Sequence, residues 1–424
     1  MKEKLIVGLD VGTSKVSSSI CKLEKNNKVQ VLGSSRVPCN GLKDGVIVDL
    51  DETIDSIEKS IEEVEGQAGS EVYTVIVNVN GAHIRGERTR GAVIIPEKEN
   101  EITKRSMNKA IDSAKMLAMP LDRQFIHIIP QGYIVDGQDG IKNPLGMYAT
   151  KLEVELYIVD GMATLVQNVA KGVKMAGYEV GDMVFSPIAA GYATVTEEER
   201  QLGAILIDIG AGTTDMVAFV MGNIKESIAI PYGGDKLAGN LSRTFKIPYS
   251  YAEELMQRYG CAQSAAIRDR DRITLALHAS LREGINGKNS ISRQAFCKVI
   301  ETDMRRLFEE LRSRLEKWNY KEMAASGVII TGGMALMDGV VELAEEVFGT
   351  SARIGLVRGF ENVQKSCLSP LYATTFGLIR YGIDQDKGNG MIPDGRNIAL
   401  EDIRPNAIFK RIAVKIRELY REYF

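Results

Sequence analysis

Two acid-bearing glycine turns carry the chain's clearest chemistry: Gly8-Leu9-Asp10-Val11-Gly12-Thr13-Ser14-Lys15 and Ile207-Asp208-Ile209-Gly210-Ala211-Gly212-Thr213-Thr214-Asp215. Each follows an apolar run of strand character, Leu5-Ile6-Val7 or Ala204-Ile205-Leu206, so each Asp stands where a strand hands over to a tight turn. In such a turn glycines let backbone N–H groups approach an anion, Thr and Ser hydroxyls add donors, and the carboxylate can hold a hydrated Mg2+. One such turn is weak evidence, because glycine-rich hairpins are common. Two copies about 200 residues apart imply a duplicated domain with a phosphate loop in each half.

The elements around the turns repeat as well. Strand-like stretches at 16–23 and 28–32 and a helix over 51–65 follow the first Asp, and strand-like stretches at 216–220 and 224–230 follow the second. The acid-rich run Thr196-Glu197-Glu198-Glu199-Arg200 marks the junction between halves. Residues 84–162 have no counterpart in the second half and read as an inserted α+β subdomain. It has a helix that begins near Thr103 and ends at Met119-Pro120, then strands at 125–129 and 151–159. Residues 231–304 are mostly helical and charged, a subdomain of the second half. A buried strand, Gly327-Val328-Ile329-Ile330-Thr331, runs into Gly332-Gly333-Met334, a turn suited to backing a flat ring or a ribose. Ser186-Pro187-Ile188-Ala189-Ala190-Gly191 and Ser369-Pro370-Leu371-Tyr372-Ala373-Thr374-Thr375-Phe376-Gly377 are small-residue helix starts. Such helices cross closely, which suits a hinge and equally suits plain close packing.

At 424 residues and 44% hydrophobic content the chain has material for two or more buried cores. Its net charge of −3 argues against nucleic acid as a ligand. The five cysteines are scattered, without metal or disulfide spacing, which fits a reducing cytoplasm. His83, His127 and His278 have no metal-ligand partners at useful spacing and read as structural, and no P-loop motif is present. The start, Met1-Lys2-Glu3-Lys4, leads into a short strand, and no apolar run approaches membrane-spanning length, so the expectation is a protein neither exported nor integral.

The last segment differs in kind. Across 406–424, Ile408, Phe409, Ile412, Ile416, Leu419, Tyr420 and Tyr423 share one helical face, while Lys410, Arg417 and Arg421 project opposite and Arg411 and Lys415 flank it. Five cations against Glu418 and Glu422, on an acidic protein, fit a helix lying in an anionic membrane surface. The alternative is a helix docked on the protein's own body.

These elements, in this order, resemble the phosphate 1, connect 1, phosphate 2, adenosine and connect 2 motifs of the actin, Hsp70 and sugar-kinase superfamily. His127-Ile128-Ile129-Pro130-Gln131-Gly132-Tyr133-Ile134-Val135-Asp136-Gly137, the loop 140–147 and Ile230-Pro231-Tyr232-Gly233-Gly234-Asp235 are similar to one bacterial cell division family, FtsA. The resemblance implies an α/β fold of duplicated actin-like (ribonuclease H-like) domains around a nucleotide cleft, with the inserted subdomain and the C-terminal amphipathic helix as additions. In that family's terms, subdomain IA spans 1–83 and 163–199 with a return helix at 371–385. IC is 84–162, IIA is 200–230 and 305–370, and IIB is 231–304. A linker over 386–405 then leads to the membrane helix at 406–424.

Carried onto this sequence, the resemblance implies ATP and Mg2+ as cofactors. Asp10 and Asp208 would face Mg2+ through water, and the backbone of Gly12, Thr13 and Ser14 and of Gly210, Gly212, Thr213 and Thr214 would hold phosphates, with Lys15 adding charge. Gly233, Gly234, Gly332, Gly333 and Met334 would border the adenosine, and Glu253 would contact the ribose, although a solvated helix face accounts equally well for Glu253. The implied partners are further copies of the chain in a filament, the acidic C-terminal tail of the tubulin-like FtsZ near Arg293, Arg305 and Arg306, anionic lipids, and other division proteins through the insert. The implied place is the inner face of the cell membrane, at the septum.

Three departures bear on that picture. Ser186 precedes Pro187 where relatives carry Glu, so any ATPase is slow, since a Ser orients water but cannot serve as a base. Glu254 and Met256 stand where relatives carry lysines, and Asp303 stands where they place an Arg for the FtsZ tail. Two other functions stay open: a divergent FtsA paralogue serving another membrane assembly, and a kinase or Hsp70-like ATPase sharing the phosphate turns. A kinase would need a catalytic Asp facing a substrate pocket, and a chaperone a long peptide-binding domain after the ATPase.

Overall fold

The computed structural model describes residues 4–24, 28–96, 100–118, 122–275, 290–318 and 320–386. His278, the linker beyond residue 386 and the whole 406–424 segment, from Ile408 to Tyr423, lie outside the described residues.

The chain opens with an antiparallel meander, β1 (Lys4–Val11), β2 (Lys15–Leu23) and β3 (Val29–Pro38). Helix α1 (Leu50–Ala68) starts where the Asp49 carboxylate accepts from the Glu52 N–H and stops at Gly69, whose φ of 61° is left-handed. It delivers β4 (Thr74–Val79) parallel to β1. The insert follows: β5 (Arg85–Ile94), α2 (Lys104–Leu117), β6 (Arg123–Val135), β7 (Gln138–Ile141) and β8 (Lys151–Met162). Then α3 (Ala163–Met175) and β9 (Glu179–Phe185) complete the first sheet, in the order β9-β4-β1-β2-β3.

Two short helices, α4 (Ser186–Thr194) and α5 (Glu197–Leu202), lead to a second meander of β10 (Ala204–Ile209), β11 (Thr214–Val220) and β12 (Asn223–Ile230). Helices α6 (Gly234–Phe245), α7 (Tyr249–Tyr259) and α8 (Arg293–Leu315) precede β13 (Val328–Thr331), which runs parallel to β10. Then come α9 (Val340–Phe348), β14 (Ala352–Ile354) and α10 (Ala373–Asp386). The second sheet is ordered β12-β11-β10-β13-β14. Read outward from the meander, both sheets have one connectivity, so the duplication inferred from two short turns extends through five strands in each half. The second half and the insert each have an apolar core, and the core of the first half continues onto the second sheet through Leu206, Val217 and Phe219.

The insert is a four-stranded antiparallel sheet, β5-β8-β6-β7, carrying α2. A capping box of Thr103 and Ser106 starts α2 where the sequence leads one to expect it. Five strands escape the sequence reading: β4, β5, β7, β9 and β14. The four charges and two glycines of β5 hide its alternation. Its Gly91 lets α2 lie close, since a Cβ there would stand 2.2 Å from the Ala110 carbonyl oxygen.

The halves are joined where α10 crosses α4. Every residue of α4 is buried, and a Cβ on Gly377 would stand 1.8 Å from the Ala189 carbonyl oxygen. Gly377→Ala therefore forces the helices apart and should cost about 1–3 kcal/mol, the range for overpacking a filled core. Urea denaturation measures this. An unchanged midpoint would mean that the crossing is not held in solution.

Candidate functional site

Both acid-bearing turns end their strands at the same place, between the halves. Each closes on itself through one backbone bond, Gly12 N–H to Lys15 O at 2.9 Å and Gly210 N–H to Thr213 O at 2.8 Å. The N–H groups of Thr13, Ser14, Ala211 and Gly212 make no hydrogen bond to the described residues. The turns meet: a Cβ on Gly212 would stand 2.5 Å from Thr13 Oγ1, and Asn80 Nδ2 donates to Thr213 Oγ1 at 2.9 Å. Together they line a cavity of about 70 Å3 with Asp10, Lys15, Asp208, Gly332 and Gly333.

Three carboxylates converge here. Asp10 accepts from Lys15 Nζ at 2.8 Å and from Asn78 Nδ2 at 2.8 Å, and the same ammonium donates to the Leu371 carbonyl at 2.9 Å. Asp208 accepts from Thr374 Oγ1 at 3.2 Å, at the start of α10. Gly332, at φ 84°, is required beside it, because a Cβ would stand 2.4 Å from Asp208 Oδ1. Burial and the charge of Asp10 push the Asp208 carboxyl up to about 6, against the opposing pull of Lys15 and Thr374. Asp215 lies opposite Asp208 in the β10–β11 ladder. It is 1% exposed, accepts from Thr213 Oγ1 at 3.0 Å, and its Oδ1 finds no partner among the described residues. Burial and the neighbouring Asp208 raise its carboxyl well above the ordinary range. One ammonium thus faces three acids, beside a cradle of unpaired N–H groups. That set fits a divalent cation together with a bound polyphosphate.

Ser186 is also drawn in. Its hydroxyl donates to Val79 O at 3.2 Å and accepts from Asn78 Nδ2 at 3.0 Å, while Asn78 Oδ1 receives the Val11 N–H at 2.7 Å. Asn78 and Asn80 line the cavity without having been named by sequence reasoning, and Leu371 and Thr374, named there only as part of a small-residue helix start, line it as well. The available signal was two asparagines closing an otherwise apolar strand, Val77-Asn78-Val79-Asn80.

The remaining candidates stand outside that cavity's lining. Gly233 and Gly234 are stitched to the back of the second turn, with Gly234 N–H donating to Gly210 O at 3.1 Å and a Cβ on Gly233 barred by Ala211 O at 2.3 Å. A Cβ on Gly234 would stand 3.2 Å from Met334 Sδ and 3.8 Å from Met256 Cε, so Met334, Met256 and Gly234 form one wall beside the turn. Glu253 is half-buried on α7, one turn before Met256. Arg293 donates to the Tyr259 carbonyl at the end of α7, Arg305 pairs with Glu346 at 2.9 Å, and Arg306 is exposed on α8. Asp303 accepts from Asn240 Nδ2 at 2.6 Å. His127 Nε2 accepts from the Phe185 N–H, and burial lowers its pKa to about 3, so this ring is a neutral structural group. Among the described residues no cluster of His, Cys, Asp or Glu has the arrangement of a direct metal site, and no helix is long and apolar enough to cross a membrane.

Comparison with known proteins agrees with this geometry. The family model described as "SHS2 domain inserted in FTSA" matches residues 81–160, and the one described as "Cell division protein FtsA" matches residues 205–377. Cell division protein FtsA of Pseudomonas aeruginosa is 34% identical over 388 residues, covering 92% of this chain and 91% of that protein. The protein of the same name from Borreliella burgdorferi is 32% identical over 92% of this chain and 93% of its own length. Among solved structures, the PilM-PilN type IV pilus biogenesis complex superposes with TM-score 0.59 at 15% identity, covering 89% of this chain and 98% of that one. MreB5 of Spiroplasma citri bound to ADP gives 0.54 at 14%, covering 91% and 99%. These last two likenesses establish the actin-like fold. The full-length relatives establish more: this chain belongs to the FtsA family of actin-like cell division proteins.

Proposed function

We propose that this chain is an ATP-binding, self-polymerising adaptor that tethers the FtsZ ring to the inner face of the cytoplasmic membrane during division. The observation that carries the nucleotide part is the meeting of two glycine turns and three carboxylates between duplicated halves. Mg2+ would be held through water by Asp10 and Asp208, with Asp215 behind them, and phosphates by the backbone N–H groups of Thr13, Ser14, Ala211 and Gly212, those of Gly12 and Gly210 closing the turns. Bound Mg2+ supplies the countercharge that the three acids call for. At about 70 Å3 the cavity is well below the 300–1,000 Å3 of ordinary ligand sites, so the halves part to admit nucleotide and close on it. The crossing of α4 and α10, tied to the site through Ser186 and Thr374, is the natural pivot.

ATP acts here mainly as a structural ligand. The Ser186 hydroxyl donates to a backbone carbonyl, so its proton is already committed and no base stands in its place. Ser186→Ala should therefore change ATP turnover by less than about threefold, far below the 10²–10⁴-fold lost with a general base. A phosphate-release assay decides this, and a hundredfold drop would make Ser186 part of the chemistry.

The FtsZ tail, being acidic, would meet the exposed Arg306 with Arg305 beside it, and an extended tail would reach Arg293 about 20 Å away at the start of α8. Asp303 supports a second reading, a paralogue serving another membrane assembly, because an acid stands there. Its hydrogen bond to Asn240 turns part of that carboxylate toward α6, which softens the objection. Anionic lipids would take the 406–424 helix, other division proteins the insert, and further copies of the chain the ends of a filament. Electron microscopy on an anionic lipid monolayer tests the assembly: filaments should appear with Mg-ATP and vanish without it. Dispersed particles in both would count against polymerisation.

A further inference from the structure

Strand β5 edges the insert's sheet and β12 edges the second half's sheet, and the two edges face each other. They touch at one end. Tyr157 Oη and Ser227 Oγ are 2.8 Å apart, a Cβ on Gly86 would stand 2.6 Å from Ser227 Oγ, and Arg88 donates to Lys225 O at 3.1 Å. Beyond that contact the strands part around a cavity of about 290 Å3, lined by Arg88, Arg90, Leu156, Val220, Met221 and Lys225 among others. Asn223 helps close it, donating to the Gln131 carbonyl at 3.2 Å. This cavity is larger than the one between the phosphate turns.

Two properties define what it takes. First, no backbone hydrogen bond joins β5 to β12 among the described residues, so each strand turns a row of N–H and C=O groups into the gap. Second, the charges do not balance. Glu155 is paired with Arg90, and Glu226 is taken by Lys317 at 2.6 Å and by Trp318 Nε1 at 3.0 Å. Arg88 lies 4.5 Å above the Trp318 ring without a carboxylate partner, and Lys225 makes no ion pair among the described residues. Met221, 68% exposed, adds an apolar rim above Val220 and Leu156.

We infer that this gap is a docking slot for an extended acidic segment of a partner protein. The segment pairs as a strand with β5 and β12, its carboxylates meet Arg88 and Lys225, and its alternate apolar side chains meet Leu156, Val220 and Met221. Its binding joins the insert's sheet to that of the second half. The occupant is acidic because two cations, Arg88 and Lys225, remain at the gap once its lining acid, Glu155, is paired with Arg90. It is a strand because two open edges face it.

The full-length protein and two short blocked peptides, one alternating valine with aspartate and one alternating valine with lysine, suffice as a test. The emission of Trp318, the chain's single tryptophan, reports binding beside Arg88, and amide hydrogen exchange reports edge pairing. The aspartate peptide should bind at least about tenfold more tightly than the lysine peptide, the worth of one charge-assisted contact, and slow exchange in both 86–92 and 221–227. Lys225→Glu, at a partly exposed site, should lower its affinity about tenfold and raise that of the lysine peptide. Equal binding of the two peptides to the unmodified protein, or no binding of the aspartate peptide, overturns the proposal. So does binding without slowed exchange, or displacement by inorganic phosphate alone, which would make the gap a small-anion pocket. Protection that appears without peptide as protein concentration rises would assign the slot to a second copy, and also overturns it.

Discussion

Asp208→Ala should weaken Mg-ATP binding on the order of 100-fold while leaving the protein folded. Removing one member of a buried charged set costs about 2–5 kcal/mol of binding, and 2.7 kcal/mol is roughly that factor. The apo protein does not suffer equally, because the same substitution takes away a neighbour of like charge from Asp10 and Asp215. Asp10→Ala should match it in binding but be less neutral for folding, since Lys15 and Asn78 lose their acceptor. Isothermal titration with Mg-ATP, beside a thermal melt, separates the effects. Unchanged affinity in both variants would remove the carboxylates from the site.

The raised carboxyl of Asp208 gives that prediction a pH dependence. Its folded value near 6 lies above the ordinary 3.8, so the folded protein holds this proton more tightly than the unfolded chain. Its stabilising contribution is complete below about pH 4 and is lost as pH rises to about 6. A bound divalent cation favours the ionised acid. Affinity for Mg-ATP should therefore rise between about pH 5 and pH 7, and less steeply in Asp208→Ala.

The second large effect belongs to the C-terminal segment. Ile412→Glu should release the protein from anionic vesicles, because it removes a side chain from the middle of the apolar face and puts a like charge against the lipid. Burying an isoleucine is worth about 1.5–3 kcal/mol, and each of the five cations adds roughly 1 kcal/mol near an anionic surface. On the proposed reading one tail would be a reversible anchor, and an array of subunits would multiply it through effective concentration. Vesicle sedimentation reads the loss, with the thermal midpoint unchanged. Retained binding would favour a helix docked on the protein's own body.

Much of the fold is legible because the informative signals are local. An apolar run ending in an Asp-x-Gly turn marks β1 and β10, and a start near Thr103 with a stop at Met119-Pro120 marks α2. Strand β5 is hidden because it edges a small sheet and carries charge outward, so its periodicity reads as loop. The site is legible in part. Asp10 and Asp208 announce themselves by repetition, whereas Asn78 and Asn80 matter only because β4 places them beside the turns, a consequence of parallel pairing across sixty-odd residues of chain. Ser186 shows the limit most plainly: its identity suggests a missing base, but only the structure gives its hydroxyl to Val79 O. The Asp303 carboxylate is the same kind of case, a charge whose meaning depends on Asn240, sixty-three residues earlier.

The adaptor role itself is tested most directly by sedimenting labelled FtsZ with anionic vesicles, with and without this protein and ATP. FtsZ should pellet only when the protein is present, and more strongly with ATP. Protein that pellets with the vesicles while FtsZ stays in solution would contradict the adaptor role and point to another membrane partner.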